Sequence, residues 1–182
     1  MKTPSVWLCS ALVSALFFAS LATPAFAQDV GLGSGPRSGS IFAEVSAART
    51  GQGAGVVWGG SAGGYLQGRV LGFVARATVL PGNGDIHVYD AVVGPRLAAT
   101  LPFVRLWLEA GGGVGYSGGY YGATGNAIAR DWGAAWQADL GVAHRLSSRL
   151  EWRMLEVGYS RIYTGSNVSP VMASTGLTVR LW

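Results

Sequence analysis

The chain has 182 residues, of which 49% are hydrophobic, only 12% are charged and 29 are glycine, with a net charge of +4. So little charge is unusual for a soluble protein of this length, and so much glycine opposes a helical fold, since each costs up to about 1 kcal/mol there relative to alanine. No Lys/Arg-rich cluster interrupts the chain, which argues against a nucleic-acid surface.

Met1, Lys2 and the apolar run Val6–Leu21, followed by Ala-Thr-Pro-Ala-Phe-Ala at 22–27, have the parts of a signal peptide. A spanning helix is the rival, but small residues and Pro24 stand where a basic flank belongs. The expected organisation is a signal peptide over 1–27 cleaved after Ala27, a flexible lead-in over 28–39, and one domain over 40–182. Cleavage removes Cys9, the single cysteine, so the exported chain has neither a disulfide framework nor a thiolate metal site. After Ala27, no stretch approaches the roughly 18 apolar residues that a spanning helix needs.

Beyond the lead-in the chain alternates with period two, the signature of strands. In the first strand Ile41, Ala43, Val45 and Ala47 oppose Phe42, Glu44 and Ser46. The second, Gly55–Gln67, is glycine-dense and carries Trp58, but its parity is weak. The third sets Leu71, Phe73, Ala75, Ala77 and Val79 against Gly72, Arg76 and Thr78. The fourth sets His87, Tyr89, Ala91, Val93 and Leu97 against Asp90, Val92, Gly94 and Arg96, with Pro95 predicting a bulge or a strand end. The fifth places Val104, Leu106, Leu108, Ala110, Val114 and Tyr116 on one face, and Arg105, Trp107, Glu109 and four glycines mostly on the other.

The sixth is the clearest. From Asp131 to Leu146, Trp132, Trp136, Leu140 and Val142 alternate with Gln137, Asp139, Gly141 and Arg145. The seventh changes phase, Leu150, Trp152 and Met154 giving way to Leu155, Val157 and Tyr159, which predicts a β-bulge near Met154–Glu156 that turns Glu156 inward. The eighth alternates Val171, Ala173, Leu177, Val179 and Leu181 with Ser174, Thr178 and Arg180.

Eight strands joined by alternately short and long connections predict an all-β, antiparallel, up-and-down transmembrane β-barrel. The short turns fall near Gln67–Arg69, Ala98–Pro102 and Leu146–Arg149. The outer loops fall at Thr50–Gly55, Pro81–Asp85, Ser117–Arg130 and Thr164–Pro170. Closure removes the unpaired edges that lipid cannot satisfy. A lipocalin-like barrel or a sandwich would instead bury its apolar face.

The whole region after the lead-in resembles the small eight-stranded outer-membrane barrels, the OmpA-like and OmpX-like group. The resemblance rests on the hairpin rhythm, on Ala110-Gly-Gly-Gly-Val-Gly-Tyr116 and Gly158-Tyr-Ser-Arg-Ile-Tyr163, and on Gly176-Leu-Thr-Val-Arg-Leu-Trp182. It implies insertion by the barrel-assembly machinery, with Leu181 rather than Trp182 in phase as the last residue of the assembly signal. It also implies lipid and lipopolysaccharide as the surroundings and a monomeric state. Lipid A deacylases and palmitoyltransferases exist on this scaffold, and the deacylases carry a His-x-Ser pair with a nearby Glu. Here the histidines are His87 and His144, and neither has a serine two residues on.

By parity Glu44, Asp90, Glu109, Asp139, Glu151 and Glu156 face the lumen, with Arg76, Arg96, Arg105, Arg153 and Arg180. Such a set is either a salt-bridged plug, since charges withdrawn from water survive when paired, or the lining of a narrow proton or ion path. Trp58, Trp132, Trp136, Trp152, Tyr89, Tyr116, Tyr159 and Tyr163 are expected in the aromatic girdles. Tyr120, Tyr121 and Asn126, on the longest loop, are the candidate contacts for an extracellular partner. A His87–Asp–Ser117 constellation at the outer rim is the one catalytic alternative. No catalytic residue, metal or cofactor is otherwise expected, and the role anticipated is structural or one of surface interaction.

Overall fold

A computed structural model describes residues 38–50, 55–81, 86–121, 126–165 and 167–182. The expected signal peptide and nearly all of the lead-in lie outside the described residues. Eight strands run in chain order: β1 (Ser38–Arg49), β2 (Val56–Gln67), β3 (Leu71–Leu80), β4 (Ile86–Thr100), β5 (Val104–Tyr121), β6 (Asn126–Arg145), β7 (Leu150–Tyr163) and β8 (Val171–Arg180). Each pairs antiparallel with the next, and β8 returns to β1 from Ser40↔Arg180 to Arg49↔Val171, which closes the barrel. Ser38 and Gly39, expected in the lead-in, already pair with Gln67 and Leu66 of β2.

The two faces are inverted relative to a soluble protein. Val45, Val93, Leu108, Leu140, Val157 and Leu177 lie on the outside and are exposed, while Glu44, Arg76, Asp90, Glu109, Asp139 and Glu156 are buried within. An apolar exterior around a charged interior is stable only where the exterior meets hydrocarbon. Leu140, 61% exposed, lies between Leu108 and Val157 on the neighbouring strands, in the middle of that belt. Leu140→Arg should therefore lower stability in lipid vesicles by about 2–4 kcal/mol, read from urea unfolding. A change within about 0.5 kcal/mol, as on a solvated surface, would mean that this face does not meet lipid.

The phase change in β7 is a bulge, as its pattern predicts. Across from β6, Ala143↔Arg153 is followed by Val142↔Leu155, and towards β8 the register shifts between Arg153 and Glu156. Met154 and Leu155 both stay on the lipid side, and Arg153 and Glu156 both turn inward.

Pro95 behaves otherwise than expected, as neither a bulge nor a strand end. β4 runs through it, paired with Phe73 on one side. On the other, pairing lapses after Val93↔Gly112 and resumes at Arg96↔Glu109 in the same register. Proline removes one ladder donor, but the pairs on either side hold the register.

The largest correction concerns Ser117–Arg130, expected as a loop. β5 continues to Tyr121 and β6 begins at Asn126, joined by Gly119↔Ile128, Tyr120↔Ala127 and Tyr121↔Asn126. Between Ser117↔Asp131 and Gly119↔Ile128 one strand advances two residues and the other three. This bulge reverses the parity and hides the alternation in the sequence. Gly119 sits within it at φ 133°, a conformation open to glycine and strained for other residues. β7 runs to Tyr163, just before the loop expected at Thr164–Pro170, and an Ile162↔Val168 bridge tightens the turn beyond it.

Candidate functional site

Among the described residues, the lumen is the only place in which charge is concentrated away from solvent, and the strands fill it in layers. At the centre Arg76 of β3 donates to Glu109 at 3.0 Å and to Glu156, from its second amino nitrogen, at 3.1 Å, while its other amino nitrogen also meets Glu156. It lies 3.3 Å from Asp139 and 3.7 Å from Glu44. Arg153 of β7 meets Glu44 and Glu156 and lies 3.8 Å from Glu109. Arg96 of β4 meets Glu109. Six strands therefore meet in one network, which pins them together across the barrel as well as around it.

Aromatic rings complete what carboxylates leave open. Arg153 lies over Phe42 at 4.3 Å and over Trp107 at 4.4 Å, and Arg96 lies over Tyr65 at 4.0 Å. The Trp107 indole N–H donates to Glu156 at 3.2 Å. Parity placed Phe42 and Trp107 inward but did not reveal that they are partners of the arginines. Tyr65 was missed because β2 alternates weakly.

The two ends of the lumen differ. Towards the outer loops, Leu80, Val88, Val92, Ile162, Val168 and Met172 pack as a buried apolar cluster, below which Ser160 donates to Asp90 at 3.3 Å and Gln137 to Asp139 at 2.8 Å. Sequence reasoning found no such seal, because Ile162 was assigned to neither face and Val168 fell in a presumed loop. At the opposite end, Glu151 accepts from Arg105 at 3.1 Å and from Arg180 at 2.9 Å. These three charges sit at the barrel mouth beside Ser38 and Trp182 and are less enclosed than the seven charges of the central network.

The candidate girdle residues divide between the ends. Tyr89, Tyr116 and Trp132 form a chain of rings, with centroids 5.9 and 5.4 Å apart. Trp136 packs on Tyr159 at 5.3 Å and donates to the Tyr163 hydroxyl at 3.2 Å. These, with Trp58, ring the loop end. Trp152 lies at the opposite end and donates to Thr175 at 3.2 Å. Exposed Phe73, Phe103 and Trp182 accompany it there and were not assigned from the sequence. Tyr120, Tyr121 and Asn126 stand at the paired ends of β5 and β6 rather than in a loop.

The catalytic alternative does not assemble among the described residues. The His87 ring contacts the Pro81 carbonyl, Ser117 shares a 2.7 Å hydrogen bond with Thr164, and Asp90 faces Ser160. Asp85 lies outside the described residues. His144, at the far end, contacts the Phe103 carbonyl at 2.9 Å.

Solved structures of like architecture decide the fold. Neisserial surface protein A superposes with a TM-score of 0.60 at 17% identity, over 79% of this chain and 98% of that one. The chain has the fold of the small eight-stranded outer-membrane β-barrels. The N-terminal barrel domain of Pseudomonas aeruginosa OprF matches at 0.52 and 13% identity, over 78% of this chain and 97% of its own. Ail, the attachment invasion locus protein of Yersinia pestis, matches at 0.50 and 14%, over 80% and 97%. No family model and no curated protein matches. In a barrel of eight strands the interior is just wide enough for side chains to fill, and here the layers of charged and aromatic side chains occupy it.

Proposed function

We propose that the protein is a non-catalytic outer-membrane barrel, exported by a leader cleaved after Ala27, whose closed lumen is structural and whose contacts are made by its outer rim. It works as a monomer among phospholipid and lipopolysaccharide, inserted by the barrel-assembly machinery. The β5–β6 hairpin meets the extracellular partner. It needs no cofactor.

The observation that carries this reading is the length of the hairpin. β6 first pairs with β7 at Ala134↔Tyr163, so Asn126–Trp132 has β5 on one side and no strand on the other among the described residues. At roughly 3.3 Å per residue, this leaves about 20 Å of strand with free backbone donors and acceptors on one edge. Natural proteins cover or blunt such edges unless an extended chain is meant to add there. The lumen offers less. Its centre is filled by ion pairs and aromatic rings, and its outer end by apolar side chains.

Excising residues 118–130 and bridging Ser117 to Asp131 with an Asn-Gly turn, the pair favoured in two-residue hairpins, tests the reading. The shortened barrel should keep its heat-modifiable migration on gels and its urea midpoint. It should lose the difference in surface adhesion between cells that express the protein and cells that do not. Full adhesion by a correctly folded shortened barrel would remove the hairpin from the proposal.

A further inference from the structure

The mouth beside Ser38 and Trp182 holds charge that the lumen network does not use. A cavity of about 360 Å³ opens there, lined by Arg69, Arg105, Arg145 and Arg180 with Gln67 and Trp182 and by no Asp or Glu side chain. Arg105 and Arg180 share the neighbouring Glu151. Arg69 and Arg145 have no ion-pair partner among the described residues. Four arginines therefore line one space, with the Glu151 side chain behind two of them. The Nε of Arg180 is buried without a hydrogen-bond partner, so donor capacity inside the mouth is also unused.

Convergent guanidinium groups recognise tetrahedral and planar oxyanions through paired N–H donors, and rings of arginine select anions and phosphate at pore mouths. An excess of positive side chains favours a multiply charged anion over a single carboxylate. The cavity reaches the size range of small-ligand sites, and Trp182 and Ala98 give it an apolar wall beside the charged one.

We propose that this mouth is a binding site for a phosphate-bearing anion, either a free phosphate compound or the headgroup of an anionic phospholipid. To call the site periplasmic rests on the orientation proposed for the barrel. Its binding chemistry does not, because both mouths meet solvent in a nanodisc.

The test is titration of the full barrel with inorganic pyrophosphate by calorimetry, in nanodiscs of phosphatidylcholine alone and of phosphatidylcholine with phosphatidylglycerol. Saturable binding in phosphatidylcholine is expected, weakened roughly tenfold or more in R69A/R145A, since charge-assisted bonds to the anion are lost. Both side chains are exposed and outside the lumen network, so the variant should keep its urea midpoint. R149A removes an exposed turn arginine that does not line the cavity and should bind as the parent does. Loss of the pyrophosphate signal in phosphatidylglycerol discs would assign the site to the lipid headgroup, and an equal affinity in both discs would assign it to a soluble anion. No saturable binding in phosphatidylcholine overturns the proposal, as does equal weakening by R149A and R69A/R145A, which would reduce the effect to general surface charge.

Discussion

Glu156→Leu is expected to lower the unfolding free energy by about 3–5 kcal/mol, the range for removing one partner of a buried ion pair. Glu156 is the one acid that meets Arg76, Arg153 and the Trp107 indole together. Its loss leaves two buried guanidinium groups with fewer carboxylates than they were packed against. Each keeps other partners, Glu109 and Asp139 for Arg76 and Glu44 for Arg153, so the barrel should still close and migrate as a folded species, with a lower urea midpoint in vesicles.

A double-mutant cycle separates a charge effect from a packing effect. R153M alone should be destabilising for the same reason. Combined with Glu156→Leu, it removes both charges and leaves apolar groups of similar length. The double variant should then be more stable than the sum of the two single losses predicts, by about 1–3 kcal/mol of coupling. Strict additivity would mean that the two residues contribute through packing alone, and that the ion pair between them does not hold the lumen.

Closure, strand number and the lumen-facing acids were legible because each depends on period two. Where one face meets lipid and the other meets packed charge, alternation is enforced at every position, as in β6 from Trp132 to Arg145. The reading failed where the period was broken or the chemistry was not polar. The bulge beside Gly119 inverts the phase for a few residues, and Tyr120, Tyr121 and Asn126 read as loop for that reason. The apolar seal around Ile162 and Met172 was invisible because an inward-facing valine or isoleucine looks the same in sequence as a lipid-facing one. The mouth arginines illustrate a third limit: Arg69 and Arg145 lie on different hairpins, and only closure of the barrel brings them to one cavity.

The layers also explain how so small a barrel keeps charge buried. Arginine is held from the sides by carboxylates and from above or below by rings, as Arg153 is between Phe42 and Trp107. A ring face satisfies part of the cation's charge while excluding water. The carboxylates fix direction, and the aromatics fill the volume that ion pairs alone would leave.

Trp107→Ala tests that division of labour and should be as damaging as the loss of Glu156. Truncating a buried tryptophan costs about 3–5 kcal/mol. Here it also strips the ring from Arg96 and Arg153 and the indole donor from Glu156. Trp107→Phe keeps a ring over the arginines and loses only the donor, so about 1–3 kcal/mol is expected. The space is shaped by a neighbour. A Cβ at Gly141 would overlap the Trp107 ring, so Gly141→Leu in the parent should be destabilising through overpacking. In the Trp107→Ala background the same leucine would enter the emptied volume, and part of the lost stability should return in urea unfolding. If Gly141→Leu costs as much in both backgrounds, the ring does not occupy the space above Gly141, and the aromatic layer cannot be what fills the lumen at that level.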